Sequence, residues 1–255
     1  MLVDVHCHLT HPEFSKDLNA VLERARNAGV KRIVTAGTNK ETNRTVMGLW
    51  HKHPDIIRPS LGMYPLDAIG LDDEGQKVAP QEADQEIEFI YNNKKNIVCV
   101  GEIGLDYKIN QDPKQTTIFQ KMLDCADHIN KPVVVHSRAA EREVVEILCS
   151  RKTKAVLHCF CGRKSLVRQA AKKGTYFSIP PILLRSSQFA MIVKEVDINQ
   201  LLTETDAPWL SNVSGERNEP AHIARTITAI ASIKGMDPVE VENNLFLNYQ
   251  KLFMD

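Results

Sequence analysis

The chain has 255 residues, of which 43% are hydrophobic and 25% are charged, a composition typical of a soluble globular protein. Its 32 basic residues balance 32 acidic residues, so the formal net charge is zero. This balance excludes a nucleic-acid binder that relies on overall positive charge; a polyanion must be held by a local patch or by metal ions. The length is usual for one barrel domain, and we expect residues 1–255 to form that single domain.

The cysteines and the lack of targeting signals predict the cellular compartment. No secretory signal precedes Asp4, and no apolar run of the sequence is long enough to cross a bilayer. We therefore expect a cytoplasmic protein with free thiols and no membrane partner. Cys7 and Cys99 alternate away from the polar residues considered below, which favours a packing role for both. The oligomeric state stays unknown at this level.

Short apolar runs alternate with segments of helical period along the chain. Segments such as LNAVLERARNAG and TTIFQKMLDCADHIN have the apolar spacing of amphipathic helices, and glycines such as Gly29 and Gly174 provide helix stop signals. This alternation predicts repeated βαβ units and a (β/α)8 barrel of the α/β class. The eight predicted strands are Leu2–His6, Arg32–Ala36, Ile56–Leu61, Ile97–Glu102, Pro132–His136, Lys154–His158, Thr175–Ile179 and Gln200–Thr205.

Other segments connect or close the predicted barrel. Leu71–Glu82 is polar and contains a glycine and a proline, which is typical of a surface loop, and it leads into a predicted helix over Ala83–Asn92. The tail Asp237–Phe253 predicts one or two closing helices that pack on the barrel.

Six residues of metal-ligand type stand at strand ends. Side chains two apart on a strand share a face, so His6 and His8 can both point into the barrel. The carboxyl ends of parallel strands meet at one mouth of the barrel. Four imidazoles and two carboxylates exceed the ligand set of one tetrahedral zinc, and they suit two divalent ions that share a bridging ligand. The six are His6, His8, Glu102, His136, His158 and Asp206.

The carboxylates at these strand ends have different expected roles. Burying Glu102 unpaired would cost on the order of several kcal/mol, a cost that two cations bridged by its two oxygens would remove. Asp206 can ligate a metal and accept a proton from the attacking water. Glu204 shares the face of Asp206 and lies deeper, which favours a supporting role in orienting a histidine or a water.

The order and spacing of six motifs resemble the TatD family of metal-dependent deoxyribonucleases, within the amidohydrolase-like barrels. These motifs are VDVHCHL, VGEIGLDY, VVVHSR, LHCFCG, ETDAPWL and GERNEP, and together they span the chain. The resemblance implies two metal ions bridged by Glu102, one held by the first two histidines with Asp206 and the other by the remaining histidine pair. It also implies hydrolysis of DNA phosphodiester bonds, typically from the 3′ end.

Residue chemistry limits the cofactor and the partner without fixing either. Imidazole-rich sites suit zinc, mixed histidine and carboxylate sites also accept manganese, and magnesium prefers oxygen ligands. We expect two divalent ions of one of these kinds. The expected partner is DNA, and single-stranded ends are favoured because a barrel mouth admits a strand terminus more easily than a duplex.

One departure from the family pattern keeps other functions open. Tyr64 in LGMYP stands where the family usually has a histidine in Gly-x-His-Pro. A tyrosine can donate a hydrogen bond but carries no positive charge at neutral pH. The alternative is a metal-dependent hydrolase of another ester or amide, such as an aminoacyl-ester deacylase or a lactonase-like enzyme. A non-catalytic binding barrel is a third reading, against which the complete ligand set argues.

Polar residues in the loops after the strands are candidates for phosphate contacts. These loops line the mouth of a barrel, where arginine can fork onto a phosphate and asparagine can donate to it. Arg217 and Asn218 rank first because GERNEP matches the loop of the family, and Asp106 could border the site. The candidate substrate contacts are Tyr64, Arg138, Arg163, Arg217 and Asn218.

Overall fold

The computed structural model describes residues 1–79 and 81–254, and it has the predicted barrel architecture. Eight parallel strands lie in one sheet in chain order, each hydrogen-bonded to the next. Their carboxyl ends therefore face one mouth, where sequence order becomes spatial order. The strands are Leu2–Cys7 (β1), Val30–Ala36 (β2), Ile57–Leu61 (β3), Cys99–Gly104 (β4), Val133–His136 (β5), Ala155–Leu157 (β6), Tyr176–Ile179 (β7) and Leu201–Thr203 (β8).

The last strand returns to the first and nearly closes the barrel. The Thr203 hydroxyl donates to the carbonyl of Val3 at 2.7 Å. Beyond the end of β8, the amide of Asp206 donates to the carbonyl of His6 at 2.9 Å. We call this junction the β1–β8 seam. It places residues from the two ends of the barrel sequence side by side at the mouth.

Helices alternate with the strands, as the apolar periodicity predicted. At the start of α2 the Asn39 side chain accepts from the amide of Thr42 at 3.1 Å, and the Thr42 side chain returns the bond to the Asn39 backbone. Asn130 and Gly174 end two helices in the left-handed region. The α-helices of the described residues are Leu18–Asn27 (α1), Lys40–Lys52 (α2), Pro65–Ile69 (α3), Ala83–Asn92 (α4), Pro113–Ile129 (α5), Glu141–Cys149 (α6), Lys164–Lys173 (α7), Ser187–Glu195 (α8), Ile223–Lys234 (α9) and Pro238–Phe253 (α10).

Two apolar clusters hold these layers together. The larger cluster packs the helices onto the sheet and includes Ile33 and Phe119. The smaller cluster, here called the barrel plug, joins six strands to the last turns of α10. Val134 lies two residues before His136, so both side chains belong to the interior, with the valine one layer below the mouth. The barrel plug consists of Val3, Val5, Val34, Cys99, Val134, Val156, Leu202, Tyr249, Leu252 and Phe253.

Most strand edges differ by one or two residues from the predicted ones, and two of these differences have identifiable reasons. β4 begins at Cys99 rather than at Ile97, because the Ile97 amide donates at 3.2 Å to the carbonyl of Asn93 in the turn after α4. β8 ends before Thr205, because the Thr205 amide donates at 3.0 Å to the side chain of Asp4 instead of to a strand. Local turns and a side-chain acceptor, rather than apolar pattern, set these boundaries.

The connecting segments follow the sequence expectations closely. The helix predicted over Ala83–Asn92 is confirmed as α4. The tail forms the single helix α10, with Asp237 accepting at its amino end. Within Leu71–Glu82, the described residues form neither a helix nor an extended strand, and Pro80 lies outside the described residues. Among the helices that the structure describes, none has the length and apolar character needed to cross a membrane.

Candidate active site

The four histidines that the sequence singled out meet in two pairs at the barrel mouth. The Nε2 atoms of His6 and His8 lie 3.1 Å apart. Across the mouth, His136 Nδ1 lies 3.3 Å from His158 Nε2. Zinc–nitrogen bonds near 2 Å would put tetrahedral neighbours about 3.4 Å apart, so both pairs have the spacing of atoms that share one ion.

The carboxylate of Glu102 lies between the two pairs and presents one oxygen to each. Its Oε1 is 3.0 Å from both His136 Nδ1 and His158 Nε2. Its Oε2 is 3.4 Å from His8 Nε2 and 3.6 Å from His6 Nε2. A carboxylate divided in this way fits the bridging position between two cations.

Asp206 completes the half of the mouth that contains the first histidine pair. Its Oδ1 lies 3.5 Å from His6 Nε2 and 3.4 Å from His8 Nε2. The ligand atoms of these three residues lie within 4.8 Å of one another, and so do those of His6, Glu102 and His158. Imidazole nitrogens with carboxylate oxygens form a donor set that suits zinc or manganese. The side chains present therefore fit divalent cations.

The backbone is strained beside three of the strand ends that carry these side chains. Asp206 itself has φ 52°, Cys159 after His158 has φ 44°, and Ala139 has φ 57°. Left-handed backbone costs a residue other than glycine on the order of 1 kcal/mol or more, and it concentrates at functional sites. These residues lie two or three positions beyond the last residues of β5, β6 and β8.

Gly62 allows the end of β3 to approach Glu102. A Cβ atom at this position would lie 2.4 Å from the carbonyl oxygen of Glu102 and 2.6 Å from its amide nitrogen. Side chains essentially never approach backbone atoms this closely, so a substitution of Gly62 must displace the backbone of Glu102.

The buried histidines differ in their affinity for protons. Burial opposes a charge on His6, but hydrogen bonds with Asp206 and Glu102 outweigh it and raise the pKa of His6 well above its usual value. Burial also opposes a charge on His136, yet its carboxylate partners raise the pKa to about 9. Burial and the nearby charge on His6 lower the pKa of His158 to about 4. His158 is therefore neutral and offers an unprotonated nitrogen for coordination.

The two central carboxylates remain ionised despite burial. Burial alone would raise the pKa of Glu102, but the histidines around it, His158 first among them, hold this pKa well below its usual value. For Asp206, hydrogen bonds with His6 and His8 outweigh burial and lower the pKa. The mouth thus contains two fixed negative charges within reach of the imidazoles.

Asp106 supports the second histidine pair from behind. Its Oδ2 accepts from the Tyr64 hydroxyl at 3.0 Å and from Arg138 Nε at 2.6 Å, and it lies 3.0 Å from His136 Nε2. This bond to one ring nitrogen of His136 directs the other nitrogen towards Glu102. Burial raises the pKa of Tyr64, so its hydroxyl remains a donor.

Glu204 lies behind His158, and its carboxyl group is fully buried. It accepts from the Cys159 amide at 2.8 Å and from the Ser178 hydroxyl at 2.7 Å. Its Oε2 is 3.7 Å from His158 Nδ1, a buried atom without a hydrogen-bond partner among the described residues. Burial raises the pKa of Glu204 to about 8. The carboxyl group is anchored beside the imidazole without a hydrogen bond to it.

The mouth opens into a cavity of about 640 Å³, which Tyr64 and Arg138 help to line. Several carboxylates also line the cavity, including three that follow β3 in the chain. We call these three the acidic wall. Arg138 is already bound to Asp106, so the cavity offers little uncompensated positive charge to a polyanion. The acidic wall comprises Asp67, Asp72 and Asp73.

The other three predicted substrate contacts are not among the residues that line this cavity. Arg217 donates to the two oxygens of Asp17 at 2.9 and 2.7 Å. Asn218 is fully buried and donates to the carbonyl of Thr205 at 2.7 Å. Arg163 is an exposed residue at the start of α7. In this arrangement Arg217 and Asn218 hold the loop after β8 in place.

Sequence reasoning missed two aromatic residues of the cavity. Trp209 and His11 both line it, and the Trp209 ring centroid lies 5.2 Å from that of His8 and 5.1 Å from that of His11. A signal was present, because ETDAPWL places a large aromatic residue in the loop directly after Asp206. Such loop positions of a barrel border the site.

Comparisons with known proteins identify the family of the chain. The profile of the family described as "TatD related DNase" matches residues 3–254. Human deoxyribonuclease TATDN3 is 33% identical over 99% of this chain and 94% of that protein. A protein of Erwinia tasmaniensis named 3′-5′ ssDNA/RNA exonuclease TatD is 29% identical over 99% of both chains.

Solved structures give the same result for the fold. The crystal structure of a TatD homolog from Escherichia coli has a TM-score of 0.85 and 26% identity, and the match covers 100% of this chain and 98% of that one. The resemblance inferred from the motifs and the predicted (β/α)8 barrel are both confirmed. The chain belongs to the family of TatD-related DNases, which are metal-dependent hydrolases.

Proposed function

We propose that this protein is a deoxyribonuclease that uses two divalent metal ions to hydrolyse phosphodiester bonds at the 3′ ends of single-stranded DNA. The observation that carries the proposal is the position of the Glu102 carboxylate. Its two oxygens face two separate histidine pairs at 3.0 to 3.6 Å. The names of the human and Erwinia relatives, a deoxyribonuclease and a 3′-5′ exonuclease, support the choice of substrate and of polarity.

In this proposal the histidine pairs and the two carboxylates hold the ions. His6, His8 and Asp206 would hold one ion and the other histidine pair would hold the second, while Glu102, which presents one oxygen to each pair, would serve both. Zinc, manganese or magnesium bound there would supply the positive charge that lowers the pKa of a water and offsets negative charge on phosphoryl oxygens. Asp106 orients His136 through the bond to its outer nitrogen.

The remaining polar groups handle the proton and the substrate. Asp206 is ionised and accepts the proton of the attacking water. Arg138 lines the cavity, where its Nε is bonded to Asp106 at 2.6 Å and its Nη2 lies 3.7 Å from Asp73, and we assign the remaining donors of its guanidinium to a phosphoryl oxygen. The Tyr64 hydroxyl donates to Asp106 and thereby positions both the arginine and the histidine that share this acceptor.

The shape and charge of the cavity favour a strand terminus. The acidic wall repels the second backbone of a duplex, whereas a single terminus needs only the few contacts at the metal centre. Because few cations contact phosphate, affinity should fall only shallowly with salt.

We place this reaction in the cytoplasm. All six cysteines are free thiols in the structure, and disulfides are rare in the reducing cytoplasm.

The direct test uses metal-reconstituted protein and 5′-labelled oligonucleotides, single-stranded and duplex. We expect stepwise shortening from the 3′ end, faster on the single strand, and close to two ions per chain by elemental analysis. His136→Ala is the control, and it should lose metal and activity together because His136 lies 3.0 Å from Glu102.

Two results would contradict the proposal at different points. Protein that never binds more than traces of metal would overturn the two-ion centre. Protein that binds two ions but cleaves no DNA would redirect the search to esters or amides, which the same metal centre could also attack.

A further inference from the structure

Trp209 is exposed where the barrel mouth opens into the cavity. Its exposed fraction is 44%, and it is the one exposed large hydrophobic residue of residues 1–79 and 81–254 that lines this cavity. The ordinary alternative is a rim residue that packs against the site. A packing role alone does not explain why nearly half of so large an apolar ring faces the substrate cavity.

The position of the ring is tied to the metal centre. The Trp209 amide donates to the carbonyl of Asp206 at 2.9 Å. The ring makes edge contacts with His8 and His11, at interplanar angles of 69° and 71°. The contact with His8 keeps the indole beside a histidine that faces Glu102 and Asp206. The next residue, Leu210, has φ 57°, a left-handed conformation that fixes the turn carrying the ring.

The electrostatics of the cavity favour a neutral contact over a charged one. The acidic wall lines the cavity, and Arg138 is committed to Asp106 at 2.6 Å. Away from the metal ions, a nucleic acid therefore finds little positive charge with which to gain affinity. Base stacking on an aromatic ring contributes without charge, and it tolerates any base because every base has a π face.

Resting on the proposed function, we propose that Trp209, with His11 beside it, forms a stacking subsite for the nucleobase next to the scissile phosphodiester. The subsite recognises the presence of a base and not its identity. Stacking there compensates in part for the scarcity of basic side chains in the cavity. It also holds the strand terminus against the metal centre.

A kinetic experiment tests the subsite on metal-loaded protein with single-stranded oligonucleotides that carry either a normal or an abasic 3′-terminal nucleotide. Trp209→Ala should raise KM for the normal substrate by about tenfold and change kcat less, because stacking is worth about 1–3 kcal/mol per base. Trp209→Phe should restore most of this affinity. On the abasic substrate, wild type and Trp209→Ala should have similar KM values, because the partner of the ring is absent.

Fluorescence provides a readout that does not depend on turnover. The chain has two tryptophans, and Trp50 packs among hydrophobic side chains outside the cavity, so Trp50→Phe leaves Trp209 as the reporter. A phosphorothioate oligonucleotide bound to metal-loaded Trp50→Phe protein should quench the emission, and its abasic counterpart should quench it far less.

The two readouts separate failure of the subsite from failure of the proposed function. Cleavage of DNA with equal KM losses on normal and abasic substrates in Trp209→Ala would overturn the subsite and leave the nuclease intact. Absence of cleavage with base-dependent quenching would support the subsite and overturn the nuclease. Emission that is unchanged at saturating oligonucleotide overturns the subsite in either case.

Discussion

The mouth of the barrel and the barrel plug are built by the same strands but contain opposite chemistry. On β5, Val134 belongs to the plug, and His136, two residues later, faces Glu102. Val156 of β6 and His158, the residue directly after β6, repeat this step. Two residues of strand span about 6–7 Å, so one layer of side chains separates an apolar core from a charged centre. Apolar packing beneath the mouth provides the rigid support that metal-ligand geometry requires.

Buried hydrogen bonds join these two regions. Asp4 is fully buried beside the β1–β8 seam, and its carboxyl group accepts from both the amide and the hydroxyl of Thr205. Burial raises the pKa of Asp4 to about 7. The buried polar groups between the barrel plug and the mouth therefore have hydrogen-bond partners within the protein, as buried polar groups generally do.

The strongest contrast should come from Glu102 and an equally buried glutamate elsewhere. Glu102→Gln keeps the shape of the bridge and removes its charge, and we expect at least about a 100-fold loss of kcat with weaker binding of both ions. The matched control is Glu86→Gln, because Glu86 is also buried but is paired with Arg44 and Asn43. Steady-state kinetics and elemental analysis measure both. Normal turnover in Glu102→Gln with full metal would remove Glu102 from the mechanism.

The barrel plug should respond in the opposite way. Leu252→Ala removes a side chain that is 3% exposed, and it should lower the free energy of unfolding by about 2–5 kcal/mol while turnover per folded molecule stays unchanged. Urea unfolding provides the measurement. On the same helix, Leu247 is 50% exposed, so Leu247→Ala should change stability by less than about 0.5 kcal/mol. A large loss of turnover in folded Leu252→Ala would show that plug and mouth are not separable.

Two thiols at opposite ends of the barrel should differ in reactivity. A hydrogen bond with Cys159 outweighs burial and lowers the pKa of Cys161, which lines the cavity, to about 7. Burial raises the pKa of Cys99, in the barrel plug, to about 12. Because the thiolate is the nucleophile, alkylation of Cys161 should increase as the pH rises through about 7, and at pH 8 it should exceed that of Cys99 by at least about tenfold. Peptide mass spectrometry after timed iodoacetamide treatment measures each site, and equal labelling would contradict this assignment.

The smallest effects on KM should distinguish an arginine that lines the cavity from one that lies outside it. Arg138→Ala should raise the KM for DNA several-fold, because Arg138 lines the cavity. Arg217→Ala should leave KM within about twofold and cost less than about 1 kcal/mol of stability, because Arg217 forms a partly exposed ion pair with Asp17. The two variants remove the same charge, so comparison of their KM values isolates position. Equal KM values in the two variants would indicate that Arg217 also contacts the DNA.

Much of the architecture was accessible from sequence because it depends on local periodicity. The strand ends with His6, Glu102 and His136 were legible because a polar ligand type closes an apolar run. The edges of the strands were harder to predict. Thr205 lies outside β8 because its amide bonds to Asp4, a residue 201 positions away in the chain. Periodicity contains no information about such a partner.

The substrate side of the site was the hardest part to predict. Arg217 is a cation in a matching motif, but whether it faces DNA depends on Asp17, which is 200 residues distant and becomes its neighbour only through the barrel. Trp209, Asp72 and Asp73 lie in loops and Asp67 lies in the short helix α3, and no periodic pattern there distinguishes a lining residue from a solvated one.

The position of the first histidine pair at the β1–β8 seam links metal binding to the stability of the closed barrel. An ion held by His6, His8 and Asp206 would cross-link β1 to the loop that follows β8, at the edge where the barrel closes. Opening this edge would require release of the ion, so the metal would stabilise the native chain in proportion to the logarithm of its concentration. The supply of metal in the cell would then govern the lifetime of the folded enzyme as well as its rate.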